Sequence, residues 1–250
     1  MRVRAPMADD DLRERERHWM RFESVRDEAS YLAQRLRSGT ITRSRLDIAA
    51  YCGSEAALAA LGKTLAEFAP FLADPGTDSH LLGIDLGQTA DELALESFVR
   101  GLSNWGAEPV VKAAFVAADV QLEHCPNVPG SAVAAYRLAS ALRESPEAAA
   151  LRSRAERAVR VAERELDRLR GPDVDAPGAQ KILWRFGAPL FAVQSLLTAL
   201  AEPDESDSGW KGRVSTWPAQ AAASAAHWTS AIATQKEIAR RLSSWALSSP

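Results

Sequence analysis

Apolar residues return every third or fourth position along almost all of this 250-residue chain. Nowhere do β-branched residues alternate with polar ones over the length of a strand. A period near 3.6 is the period of a helix with one face turned inward. It predicts an all-α fold of antiparallel helix pairs, as a short α–α array or an irregular helical bundle. The first stripe, Leu12, Trp19, Phe22, Val25, Ala29, Leu32 and Leu36, predicts one long helix over 9–37, opened by Asp9, Asp10 and Asp11 and closed at Gly39. Its polar face, with "LRERER", reads as a solvated surface of i,i+4 ion pairs.

Caps and glycine stops divide the rest of the chain. Thr42 and Ser54 are placed to cap short helices, with Gly53 as the stop between them. Thr64 with Glu67, and Thr89 with Glu92, have the spacing of capping boxes, in which each side chain satisfies a backbone N–H left orphaned at a helix start. Small residues at 49, 50, 56, 57, 59 and 60 allow close helix contacts. Gly106 ends another helix, and Pro109 sits in the first turn of the next. "CPNVPG" at 125–130 reads as a turn or linker, so the expected regions are 1–125, with a curved array over 40–125, and 131–250, packed as one unit. Ser131 opens a helix to Arg143, "SPE" at 145–147 opens one over 146–170, and the very apolar 179–201 reads as a buried helix broken or kinked near Gly187 and Pro189. A long polar loop through Trp217 and a last helix over 217–247 complete the expectation.

Composition excludes some classes. Hydrophobic content of 46% with 25% charged residues is that of a globular chain, so disorder is not expected. No run of about 18 apolar residues and no secretory h-region are read, so no membrane partner is expected. A net charge of −3 argues against bulk nucleic-acid binding. Cys52 and Cys125 lie far apart without metal spacing, which suits a reducing cytoplasm. Arginine outnumbers lysine 25 to 5, as in GC-rich bacterial genomes.

One stretch looks like chemistry. "GIDLGQT" at 83–89 resembles the first phosphate loop of the actin-like, Hsp70 and sugar-kinase ATPases, and on that resemblance Asp85, Gly87 and Thr89 would meet the metal-bound phosphate. The resemblance covers about nine residues, and that family needs a strand on each side of the loop. Here a capped helix comes next, with Thr89 as its N-cap, so the stretch reads as an interhelical connector. Residues 46–61, "LDIAAYCGSEAALAAL", resemble one ankyrin helix pair and also uncharacterised all-helical bacterial proteins with the pattern Leu-x-x-Ala-Ala-Tyr-x-Gly. Both imply helix-pair packing and carry no activity.

The four histidines, at 18, 80, 124 and 227, have no carboxylate at metal-ligand spacing, and adjacent His124 and Cys125 do not converge as a nucleophile pair would. No metal and no cofactor are expected. Trp210, Lys211, Arg213 and Trp217 place aromatic and basic groups on the polar loop, as a partner-binding anchor would. Trp184, Phe186 and Phe191 could line an apolar ligand site between helices. The resulting expectation is a non-enzymatic helical protein that binds another protein, as an adaptor or regulatory subunit. The alternatives are an immunity-type protein that occludes a toxin, and the ATPase.

Overall fold

A computed structural model describes residues 24–71, 89–171, 176–201 and 210–248, and among these every regular element is helical. The all-α expectation holds. The contacts gather into a smaller unit, Met1–Pro70 with Ala239–Pro250, and a larger one, Phe71–Ile238.

In the smaller unit, local signals set the helices. Helix α1 (Val25–Ser38) starts at Ser24, whose hydroxyl accepts the Asp27 N–H at 3.2 Å, and ends at Gly39 with φ 75°. The single helix expected over 9–37 is therefore corrected: Ser24 is extended and caps a new helix, while residues 9–23 lie outside the described set. Helix α2 (Arg43–Tyr51) is capped by Thr42, and α3 (Glu55–Leu61) by Ser54. Gly53, at φ 87°, makes the left-handed turn between them, a conformation that a side chain would strain. Both α1 and α2 pack on α3. Leu32, Leu46, Ile48, Ala49, Ala50 and Ala57 are buried there. Thr64 and Glu67 form half of the expected box: the Thr64 N–H donates to Glu67 Oε2 at 2.6 Å, and a 3-10 helix, Leu65–Phe71, comes next.

Three arginines serve as helix C-caps. Buried Arg35 donates to the Leu247 carbonyl, and Arg45 donates to the Ser248 carbonyl at 3.1 Å while lying 5.1 Å over the Trp245 ring. In the larger unit, Arg152 donates to the Leu200 carbonyl at 3.2 Å. A helix end leaves carbonyls without partners and carries partial negative charge, and a guanidinium answers both.

The larger unit begins at α4 (Ala90–Gly101), where Thr89 and Glu92 complete a full capping box. A 3-10 turn (Leu102–Trp105) and Gly106, at φ 97°, lead into α5 (Ala107–His124). Then come α6 (Gly130–Glu144), α7 (Ala149–Leu169), α8 (Ala176–Leu200), α9 (Trp210–Trp228) and α10 (Ala231–Leu247), the boundary between the units falling inside α10. Helix α8 touches α5, α6, α7 and α9, and α9 also touches α4 and α5. Ala219, Ala221, Ala222, Ala225 and Ala226 are buried on α9, so small side chains allow that close packing.

Three further expectations change. Ser145 ends α6, and α7 starts only at Ala149, because Pro146 and Glu147 form a turn. Of the break or kink expected near Gly187 and Pro189, the break is not formed: α8 runs on as one helix through both residues. The last helical stretch is two helices, separated at Thr229 and Ser230. By length and composition alone α8 could cross a membrane, although Lys181 and Arg185 interrupt its apolar run; half of its apolar window is buried.

Candidate functional site: an aromatic platform on a proline-bearing helix

Pro189 lies inside α8. A proline there has no N–H for the Arg185 carbonyl, and its ring crowds that carbonyl. Gln121 of α5 repairs the gap. Its Nε2 donates to the Trp184 carbonyl at 2.9 Å and to the Arg185 carbonyl at 3.0 Å, and its Oε1 accepts the Ala188 N–H at 2.9 Å. One fully buried amide thus stands in the ladder of a neighbouring helix, and α8 runs on. Gly187 is required beside it. A Cβ at that position would lie 2.5 Å from Ser224 Cβ on α9, and closer still to its hydroxyl.

This junction orients a group of aromatic rings. The Trp184 carbonyl also accepts the Trp228 indole N–H at 3.3 Å. The Trp184 ring stacks on His227 with centroids 3.6 Å apart and planes 26° apart, and His227 meets Trp228 edge-on at 5.2 Å. His227 is exposed, while Trp184 and Trp228 are half-buried, as are Ile182 and Leu183. Desolvation against the rings pushes the His227 pKa below its ordinary value; Lys181 adds to the fall and Glu92 opposes it. The shift favours the neutral imidazole, which suits a face that another surface can cover. Rings already fixed by packing and hydrogen bonds lose little freedom on being covered, which favours such clusters as binding anchors.

The residues singled out from sequence fall elsewhere. Trp210, Lys211 and Arg213 lie on the first turn of α9, not in a loop, and Trp217 is two turns into that helix. The polar composition through Trp217 reads as a loop, yet α9 begins at Trp210 and carries Pro218 internally. Trp217 packs on Phe191 of α8, with centroids 5.8 Å apart. Phe186 is fully buried. Asp85 and Gly87 lie outside the described residues, and Thr89 is the N-cap of α4.

The other reactive groups are occupied by structure. His124 Nδ1 donates to the Val120 carbonyl of its own helix at 2.9 Å. It borders a groove of about 600 Å³, together with Glu123, Thr229, Ser230 and Glu237. Among the described residues no three His, Cys, Asp or Glu are grouped to hold a metal. Burial pushes the Cys52 thiol up to about 12, so it is protonated at neutral pH. Burial, and then the Asp119 carboxylate that accepts its hydroxyl at 2.6 Å, raise the Tyr136 pKa.

Gln121, Gly187 and the His227–Trp184 stack were missed in the sequence. Two signals were available: a proline in the most apolar helix leaves a carbonyl in need of a donor, and Gln121 is the amide in the mostly apolar run "AAFVAADVQL", whose other polar residue is Asp119. The pairing of residues 43 positions apart is set by tertiary contact alone.

No protein family profile matches the chain, and neither the curated proteins nor the solved structures give a match.

Proposed function

We propose that this chain is a non-enzymatic helical module that binds another protein, as an adaptor or regulatory subunit, through the platform of Trp184, His227 and Trp228. The observation that carries the reading is the stacked pair Trp184–His227, held at the surface by a buried hydrogen-bond junction. Tryptophan at the centre of a covered patch is the residue whose truncation costs most in protein–protein binding. The test is co-purification of the tagged chain from cells that produce it, as wild type and as Trp184→Ala with unchanged circular dichroism. A stoichiometric protein partner lost in the variant supports the reading; a partner retained equally by both sinks it.

The identity of that partner separates adaptor from immunity protein. A multi-subunit enzyme favours the first, and a small toxin whose activity the chain blocks favours the second. The ATPase reading rests on Asp85, Gly87 and Thr89. The helix that starts directly after Thr89, with Thr89 hydroxyl and Glu92 carboxylate engaged in the cap, favours a connector instead. ATP turnover abolished by Asp85→Ala would reverse that preference.

A further inference from the structure

Helix α7 carries a second feature that its packing does not use. Ala155, Val159, Ala162 and Leu166 are buried, and the opposite face is exposed. Val161 lies on that outward face, 48% exposed. Arg154, Arg157, Arg164 and Arg168 stand seven and four residues before it and three and seven after it, all exposed. At 100° per residue these five side chains fall within an arc of about 80°, and the arginines extend over about 21 Å of helix. Among the described residues none of the four has a carboxylate within ion-pairing distance. Of the helix's four acids, Glu156 pairs with Arg152 at 3.4 Å and Glu163 accepts the Gln194 amide at 2.9 Å, while half-buried Glu165 and exposed Asp167 border the arginine arc.

That arrangement works against the isolated helix. Arg160, Arg164 and Arg168 repeat at i,i+4, where like charges repel by about 0.2–0.5 kcal/mol per pair. Arg164 Nε donates to the Arg160 carbonyl at 3.0 Å, and among the described residues none of the four around Val161 meets a carboxylate. Exposed cations of this kind around an exposed apolar side chain have the anatomy of a binding face, with an apolar centre and a charged rim.

We propose that the outward face of α7 is the docking surface for an acidic amphipathic helix of a partner protein, with Val161 at its centre and Arg154, Arg157, Arg164 and Arg168 around it. Charge complementarity selects the occupant: a helix with one apolar residue flanked by glutamates or aspartates a turn away matches both parts of the face. A polyanion such as nucleic acid matches only the arginines and meets Asp167 beside them and a chain of net charge −3. The proposal rests on the partner-binding reading and specifies the chemistry of a second contact outside the aromatic platform.

The experiment uses the full chain and a labelled helical peptide about three heptads long, with leucine on one seam flanked by glutamates. Binding is measured by fluorescence anisotropy at low and high salt, beside a short DNA duplex and vesicles of phosphatidylserine and phosphatidylcholine. The wild type is expected to bind the peptide, more weakly as salt rises. Arg157→Glu with Arg164→Glu should weaken it at least about tenfold, Arg157→Lys with Arg164→Lys much less, and Val161→Asp severalfold. Each variant is checked for unchanged helicity, which surface substitutions on this face should preserve. Absence of peptide binding, peptide binding indifferent to the charge reversal, or tighter binding to the duplex or the vesicles overturns the proposal. The general partner-binding reading fails separately, when Trp184→Ala leaves native co-purification unchanged.

Discussion

The smaller and larger units reach helicity by different routes. In the smaller one each helix starts at a Ser or Thr that caps it and stops at a glycine with positive φ or a short turn; Ser24, Gly39, Thr42, Gly53, Ser54 and Gly62 are a nearly continuous script. In the larger one, α8 and α9 both continue through a proline, and α8 is completed by a side chain from α5. Local chemistry suffices where helices are short. In α8, where Pro189 removes a backbone N–H, the donor comes from tertiary structure, and that junction then fixes nearby groups in place. The aromatic platform sits on the second kind of construction.

The contrast can be broken by substitution, and the largest effect is expected at the junction. Gln121→Leu leaves the Arg185 carbonyl and its neighbours without the amide and should cost about 2–4 kcal/mol in a denaturant titration. An equal cost for Gln121→Leu in a Pro189→Ala background would deny the repair role, since alanine restores the missing backbone N–H. Gly187→Ala should rank next at about 1–3 kcal/mol from the clash with Ser224, and Ser224→Gly should recover most of it.

In the smaller unit Arg35→Met removes the donor to the Leu247 carbonyl and should cost about 1–2 kcal/mol, read as a lower melting temperature. Gly53→Ala, at φ 87°, should cost about 1 kcal/mol, with no repair available from any second site.

The smallest effect concerns pH. Folding lowers the His227 pKa, so as pH falls the unfolded chain takes up the proton first; stability is complete above the ordinary value of 6.5 and declines as pH drops through the folded value. Lys181 reinforces this dependence and Glu92 moderates it. His227→Phe should flatten melting temperature between about pH 7 and about pH 5 relative to wild type. An unchanged slope would mean that the stack does not favour the neutral imidazole.

Much of the fold was legible, and the reasons are specific. Capping boxes and glycine stops are written in adjacent residues, so Thr89–Glu92 and Gly53–Ser54 could be read directly. Pro146 misled because proline at a helix start and proline in a turn carry the same local signal; here Ser145 closes α6 instead of opening α7. The polar stretch through Trp217 misled in the opposite sense, because α9 begins at Trp210 and carries Pro218 internally. The candidate site was less legible. Trp184 and His227 carry no signal when read apart, and only the approach of α9 to α8, allowed by Gly187 and the alanines, brings them into contact.

Hydroxyl-radical footprinting of the chain with and without its co-purified partner tests the platform most directly, because indole and imidazole rings are read individually. Oxidation of Trp184, His227 and Trp228 should fall severalfold in the complex, while half-buried Trp217, packed on Phe191, changes little. Equal oxidation of the three rings in free and bound chain would contradict the account.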